Sequence, residues 1–259
     1  MKLKIRTWNM NYWKERSGDK AKSKEKINEW IKTAKQLILD EEDIDIFALQ
    51  ESSLNMLMDE NIVYKFIQFT NVINISHNNK NFAFLANPHK YLNWGLLTIS
   101  KGIEGTIYAY NNVLAYICYD FTINNKEITI VNIHLQKDFN TKVYYPTFEK
   151  LIVEVNDILN KKSGCLVLLM GDFNASDKFP SDELENFKKA FVKIRKIGFV
   201  DCTSEIPLEQ RSTMLDYSYQ NDYIFINEAF KNIILDIKIR KDIETDYIDH
   251  YPIDICIEL

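Results

Sequence analysis

The feature that most constrains the fold is the recurrence of short runs rich in Ile, Val, Tyr and Phe, from one end of the chain to the other. Runs of this length and composition, bounded by polar turn residues, predict β-strands. We predict strands at Leu3–Met10, Ile44–Gln50, Phe82–Ala86, Gly95–Ser100, Val113–Phe121, Glu127–Leu135, Cys165–Met170, Asp222–Ile226, Ile233–Arg240 and Ile253–Ile257. The chain is therefore expected to be rich in strands throughout its length.

Three other segments carry apolar residues at spacings of three and four, which predicts helices. They run from Ile27 to Ile38, from Phe148 to Leu159 and from Leu184 to Ile194. Each has a single apolar stripe, so each helix should pack one face on a sheet and turn the other face to water.

The strands outnumber the helices, and this ratio predicts sheets stacked face to face with helices outside. Short connections such as 123–126 indicate hairpins and hence mostly antiparallel pairing. We predict an α/β fold of two stacked, mostly antiparallel sheets with helices on the outer faces. The 259 residues contain no evident linker or repeat, so we expect one domain spanning residues 1–259.

The composition narrows the class of protein further. A net charge of −5 removes the simple argument for nucleic-acid binding through a basic surface. The four cysteines form no CxxC pair, and three lie inside apolar runs, so we predict a reduced, cytoplasmic protein. We expect no signal peptide, no membrane span and no obligate protein partner, because no sufficiently long apolar segment is present.

Polar residues at the strand ends form the unusual pattern in this sequence. They are Asn9, Gln50, Glu51, Asn132, His134, Asp172, Asn174, Asp222, Asp249 and His250. A strand that runs directly from the core into a polar side chain places that side chain rigidly at the rim of the sheet. Carboxylate and amide oxygens suit Mg²⁺ or Mn²⁺, and imidazoles with a further carboxylate suit hydrolysis of a phosphate ester.

Taken one at a time, these residues have structural explanations. Asn9, Asp172 and Asn174 could be ordinary turn residues after strands. His134 lies in an apolar run, where a single histidine is more often a hydrogen-bonded core residue than a catalytic one. Only the set as a whole favours catalysis.

The ordered motifs WNMN, LQE, NIHL, GDFN, NDYIF and DHYP resemble those of the endonuclease/exonuclease/phosphatase superfamily, in its deoxyribonuclease I-like branch. The resemblance extends from Asn9 to Pro252. It implies a four-layer α/β sandwich and hydrolysis of phosphate esters with Mg²⁺ or Mn²⁺. It also implies a metal site of Asn9 and Glu51, supported by Asp249, with either one metal ion or two.

The resemblance further assigns five catalytic positions. Asp172 would activate or orient the attacking water, and Asn174 would hold that water or the phosphate. His134 and His250 would contact the scissile phosphate. Asp222 would hydrogen-bond His250, fixing its tautomer and raising its pKa.

Departures from subfamily patterns bear on the substrate. The first motif continues as NYWKERS rather than the Gly-Leu-Arg pattern of abasic-site endonucleases, and that branch has no histidine at the position of His134. We predict a nuclease, acting as endonuclease or exonuclease on DNA or RNA. The alternatives are a hydrolase of a small phosphorylated molecule and a non-catalytic binding module.

Overall fold

The computed structural model describes residues 1–11, 24–54, 72–86, 95–111, 115–135, 141–176, 184–215, 218–243 and 248–259. Three helices lie in these ranges, and we number them α1 (Lys24–Leu39), α2 (Thr141–Lys161) and α3 (Leu184–Lys196). All three predicted helices are confirmed. None of them has the length and apolar character needed to cross a membrane.

The strands are numbered in chain order. They are β1 (Lys2–Asn9), β2 (Ile46–Ser52), β3 (Val72–His77), β4 (Lys80–Ala86), β5 (Gly95–Lys101), β6 (Gly105–Asn111), β7 (Tyr116–Ile123), β8 (Lys126–His134), β9 (Leu166–Asp172), β10 (Phe199–Asp201), β11 (Asp222–Asn227), β12 (Ile234–Ile239) and β13 (Ile253–Glu258). Short 3₁₀ segments lie at Cys202–Glu205, Leu208–Gln210 and Glu228–Ile233.

The strands form two sheets. One has seven strands in the order β12-β13-β1-β2-β5-β4-β3, and the other has six in the order β10-β11-β9-β8-β7-β6. Pairing is antiparallel except between β1 and β2 and between β8 and β9. The predicted hairpin between β7 and β8 is present, and Asn124 and Asn125 both have positive φ, as a two-residue hairpin turn requires.

Three apolar clusters hold the layers together. The first fills the space between the sheets and includes Ile5 of β1 and Leu168 of β9. The second packs α2 and α3 on the outer face of the six-stranded sheet, and the third packs α1, through Trp30, on the other sheet. The predicted fold class, two stacked sheets with helices outside, is confirmed.

Three strands were not predicted from the sequence. β3 and β6 are edge strands whose side chains are largely half-buried or exposed, so their sequences contain too many polar residues to stand out. β10 has only three residues, fewer than periodicity can detect. Two residues of the predicted strand Val113–Phe121, 113 and 114, lie outside the described residues, and the strand itself begins at Tyr116.

The two parallel pairs determine where polar strand ends meet. Parallel strands finish at the same edge of a sheet, so the ends of β1 and β2 lie side by side, as do those of β8 and β9. β11 runs antiparallel to β9, and its first residue, Asp222, pairs with Asp172. The sheets are stacked so that both edges face the same end of the sandwich.

Candidate active site

The polar ends of the two sheets meet through Asn9, the last residue of β1. Its side-chain Nδ2 donates to Glu51 Oε1 at 3.2 Å and to Asp172 Oδ2 at 2.9 Å. Asn9 and Glu51 belong to the seven-stranded sheet, whereas Asp172 belongs to the other. His134 Nε2 lies 3.3 Å from Glu51 Oε1 and 3.8 Å from Asp172 Oδ2, so one small buried cluster spans the two sheets.

Three polar residues at this end of the sandwich have unusual backbone conformations. Asn11, Glu51 and Asn174 have φ values of 53°, 46° and 45°, in the left-handed region that non-glycine residues seldom adopt. Asn174 donates from its backbone N–H to Asp172 Oδ1 at 2.7 Å and from its side chain to Asp172 Oδ2 at 3.2 Å. Strained backbone of this kind clusters at functional sites, and here it holds both oxygens of Asp172 in place.

A second group surrounds His250. Its Nδ1 lies 2.8 Å from Asp222 Oδ2, and its Nε2 lies 4.0 Å from Asp172 Oδ2 and 3.7 Å from Asp249 Oδ1. The hydrogen bond with Asp222 fixes the imidazole so that Nε2 is directed towards Asp172.

Two residues that were not assigned roles support this arrangement. Asn11 Nδ2 donates to Asp249 Oδ1 at 2.7 Å, and the Trp8 indole donates to the backbone carbonyl of His250 at 2.8 Å. Asn11 is the last residue of the motif WNMN, and its place in that motif was a reason to expect it at the site. Trp8 is the first residue of the same motif, but it is not one of the polar strand ends that predicted the site.

The carboxylates control the protonation of the imidazoles. Burial lowers the pKa of His250, but the negative charges of Asp222, Asp172 and Asp249 outweigh burial and raise it to about 10. Burial likewise lowers the pKa of His134, while the hydrogen bond and charge of Glu51 raise it to a net value above that of a free imidazole. Burial and the charge of Asp222 raise the pKa of Asp172 to about 6, against the opposing charges of the two imidazoles.

The chemistry of the cluster fits a divalent cation. One ligand atom each from Glu51, His134 and Asp172 lie within 4.8 Å of one another, and the same holds for Asp172, Asp222 and His250. Glu51 Oε2 and Asp222 Oδ1 are buried and have no hydrogen-bond partner among the described residues. A buried carboxylate oxygen without a partner is costly, and a bound cation removes that cost.

All eight predicted site residues lie at this end of the sandwich, joined by the hydrogen bonds and ion pairs above. The distances group Glu51 with His134 and Asp172, whereas Asp249 lies beside His250. Asn9 presents its amide nitrogen to the carboxylates, and its oxygen accepts from the backbone N–H of Asn11 at 2.9 Å. The individual roles that the resemblance implies remain predictions.

Comparisons with known proteins agree with this architecture. No family model matches the chain, and no curated protein sequence matches it either. Among solved structures, it is similar to an AP endonuclease from Leishmania major, with 14% identity, a TM-score of 0.65, and coverage of 100% of this chain and 88% of the other.

Two further structures are similar over nearly their whole length. An endonuclease/exonuclease/phosphatase family protein from Leptotrichia buccalis has 18% identity and a TM-score of 0.62, covering 99% of this chain and 100% of the other. A 3′ phosphatase from Neisseria, solved bound to a product DNA hairpin, has 15% identity and a TM-score of 0.60, with the same coverage. At these identities the similarity shows the fold, and at that level the predicted resemblance is confirmed.

Proposed function

Because this chain has the deoxyribonuclease I-like fold and a buried cluster of acids and imidazoles at one end of it, we propose that it is a divalent-metal-dependent phosphodiesterase. The observation that carries the proposal is the meeting of Glu51, His134 and Asp172 across two sheets. In a purely structural role, so many buried charges within 4 Å of one another would destabilise the fold without any compensating gain.

We assign the cation, Mg²⁺ or Mn²⁺, to Glu51, with Asn9 and Asp249 supporting it, and Asp172 lies beside this site through its hydrogen bond from Asn9. When bound, the ion supplies a positive charge that polarises a phosphoryl oxygen. The site needs such a charge to attract phosphate, since the ion-pair partners of Glu51, Asp172 and Asp222 in the described part of the chain are imidazoles rather than Lys or Arg.

The remaining chemistry belongs to side chains of the chain itself. Asp172 accepts a proton from the attacking water, and its pKa of about 6 keeps it ionised at neutral pH. Asn174 orients that carboxylate through two hydrogen bonds. His250, protonated because of its raised pKa, stabilises the negative charge that develops on the phosphoryl oxygens or protonates the leaving oxygen, as does His134.

For the substrate class we favour DNA or RNA, since the Neisseria relative of the same fold is a 3′ phosphatase with a DNA product. The chain's net charge of −5 favours the second candidate, a small phosphorylated molecule that needs no basic groove. We place the reaction in the cytoplasm, because all four cysteines are free thiols.

The test is hydrolysis of bis-p-nitrophenyl phosphate by the pure protein with Mg²⁺ or Mn²⁺, with and without chelator. We expect activity that chelator removes and that Asp172→Asn lowers at least about a hundredfold, the effect of losing a general base. Asp120→Asn is the control, since Asp120 is a partly buried carboxylate of β7 that bonds Thr129 and Lys162 instead. Full activity of Asp172→Asn would exclude the proposed reaction, and metal binding without hydrolysis would indicate a binding module.

Salt dependence then separates the substrate classes. Nucleic-acid binding releases counterions, so activity on duplex DNA, single-stranded DNA or RNA should fall steeply as salt is raised. Activity on dinucleotides or inositol phosphates that hardly changes with salt would favour the small substrate.

A further inference from the structure

Two buried amides connect the sheets directly behind the candidate active site. Gln50 of β2 and Asn132 of β8 are both 0% exposed. Gln50 Nε2 donates to Asn132 Oδ1 at 2.7 Å, across the space between the sheets. Asn132 Nδ2 donates in return to the backbone carbonyls of Leu49 at 3.1 Å and Leu97 at 3.2 Å, in β2 and β5. One side chain of the six-stranded sheet therefore contacts two strands of the other.

Burying a pair of amides in a core has a large desolvation cost. Each amide loses its water on folding, and it recovers that cost only if its partners lie at hydrogen-bond distance and angle. Apolar side chains of the same size would pack here without that requirement. What the amides add is directional: the hydrogen bond between them forms at one relative position of the two sheets, and it is kept although Gln50 Oε1 is buried without a hydrogen-bond partner among the described residues.

That relative position determines the geometry of the metal-binding cluster. Gln50 immediately precedes Glu51, and Asn132 lies two residues before His134. Glu51 Oε1 and His134 Nε2 are 3.3 Å apart but belong to different sheets, so any sliding of one sheet over the other changes this distance directly. Asn132 and His134 of β8 pair with Met170 and Asp172 of β9. The position of β8 therefore also sets the position of Asp172, the third member of the cluster.

The backbone at Gln50 and Glu51 is built to direct both side chains across the interface. Consecutive residues of a regular strand point to opposite faces. Here Glu51 has a φ of 46°, and the pairing of β2 with β5 is irregular between Leu49 and Ser52. This irregularity lets Gln50 reach Asn132 and Glu51 reach His134, both in the opposite sheet.

A glycine makes room for the pair. Gly171 of β9 has a φ of +137°, and a Cβ built there would lie 3.1 Å from Gln50 Nε2 and 2.0 Å from the carbonyl oxygen of Ile133. Gln50 is also held by Thr7 Oγ1 at 3.1 Å and by the carbonyl of Ala48 at 2.9 Å. Gln50 Nε2 therefore has acceptors in its own strand, β2, and in two others, β1 and β8.

We propose that Gln50 and Asn132 are positioning residues for the active site. Their hydrogen bond fixes the two sheets at the separation that holds Glu51 and His134 together, and so sets the affinity for the divalent cation and the rate of hydrolysis. The inference rests on the proposed function, to which it adds two residues that contact neither substrate nor metal.

The test is Gln50→Met, which keeps the length of the side chain and removes its donor. We expect the affinity for Mn²⁺, measured by electron paramagnetic resonance in the absence of substrate, to fall about tenfold or more. We expect kcat on bis-p-nitrophenyl phosphate to fall by a similar factor while KM changes little, since the misplaced groups act on the reacting phosphate.

Asn227→Leu is the matched control. Asn227 is a buried amide at the other end of β11, where its Oδ1 accepts from the backbone N–H of Val167 at 2.9 Å and its Nδ2 donates to the carbonyl of Cys165 at 3.0 Å. Its loss should lower the unfolding temperature as Gln50→Met does, but leave Mn²⁺ affinity and kcat unchanged. All measurements are made well below the unfolding temperature of each variant.

The inference is overturned if Gln50→Met loses stability as Asn227→Leu does but keeps its Mn²⁺ affinity and kcat within twofold of wild type. If Gln50→Met does not fold, Thr7→Val decides, because it removes one acceptor of Gln50 at nearly constant shape. A fall of about fivefold in Mn²⁺ affinity, the value of one hydrogen bond, supports the inference, and an unchanged affinity overturns it. If the wild-type protein binds Mn²⁺ but hydrolyses no substrate, the proposed function is wrong. The Mn²⁺ affinities of the variants would still test the role of Gln50 and Asn132.

Discussion

Single residues in this site carry charges that burial opposes, so each depends on the partner beside it. His250 illustrates this: burial lowers its pKa, yet Asp222, 2.8 Å from Nδ1, with Asp172 and Asp249, raises the pKa to about 10. We therefore expect Asp222→Asn, which keeps the shape but removes the charge, to lower the pKa of His250. Histidine-selective NMR titration of metal-free protein measures this change.

The same spectra contain an internal control. The pKa of His134 is raised by Glu51 and Asp172 and lowered by the charge of His250, so it should not fall when Asp222 is replaced. A His250 pKa that stays near 10 in Asp222→Asn would mean that Asp222 is not the group that keeps this imidazole charged.

Residues that end strands could be predicted from the sequence, whereas the contacts that support them could not. Asp172 stands out because it follows a long apolar run, and His134 stands out as a polar residue near the end of one. Trp8 belongs to the motif WNMN, but nothing in the sequence shows that its indole donates to the backbone carbonyl of His250. The positive φ of Glu51 is equally invisible, since no glycine or asparagine marks it.

At the scale of elements, the close approach of β8 and β9 depends on Gly171. A Cβ there would lie 2.0 Å from the carbonyl oxygen of Ile133, and its φ of +137° is one that other residues rarely adopt. We expect Gly171→Ala to lower the free energy of unfolding by about 3 kcal/mol or more, combining overpacking with backbone strain. Urea unfolding followed by circular dichroism measures it.

Gly164→Ala is the matched control for this prediction. Gly164 also has a positive φ, +85°, but a Cβ there would meet nothing within 4 Å. Gly164→Ala should therefore lower the free energy of unfolding by about 1 kcal/mol, through the backbone conformation alone. Equal costs for the two substitutions would show that the contact with β8 is not what requires glycine at position 171.

Elements were predicted where their composition was strong, and missed where their environment is mixed. The central strands, such as β9 with seven buried residues, are continuous apolar runs. The edge strand β6 alternates between half-buried and exposed residues and contains Gly, Thr and Asn, so its sequence resembles a loop. The order of strands in each sheet could not be read from any local pattern, because it depends on pairings between residues far apart in the chain.

At the scale of the whole molecule, the site links stability, pH and metal. Folding raises the pKa of Asp172 from 3.8 to about 6 and that of His250 from 6.5 to about 10. The folded, metal-free protein therefore holds protons that the unfolded chain releases, and its stability falls as pH rises. The contribution of His250 is complete below pH 6.5 and is lost progressively as pH approaches 10, at a slope of up to about 1.4 kcal/mol per pH unit.

A divalent cation places positive charge beside the Asp172 carboxylate and the His250 imidazole, which lie 4.0 Å apart, and so disfavours the protons that they hold. Its effect on stability should therefore have the opposite dependence on pH. We expect urea unfolding in EDTA to show lower stability at pH 9 than at pH 6.5, and saturating Mg²⁺ to restore more stability at pH 9 than at pH 6.5. His250→Gln should reduce the dependence above pH 6.5 in EDTA, because it removes one of the two imidazoles whose pKa is raised. Two results together would contradict this linkage: metal-free stability that rises between pH 6.5 and pH 9, and equal stabilisation by Mg²⁺ at both pH values. The cation would then bind away from the protons that Asp172 and His250 hold.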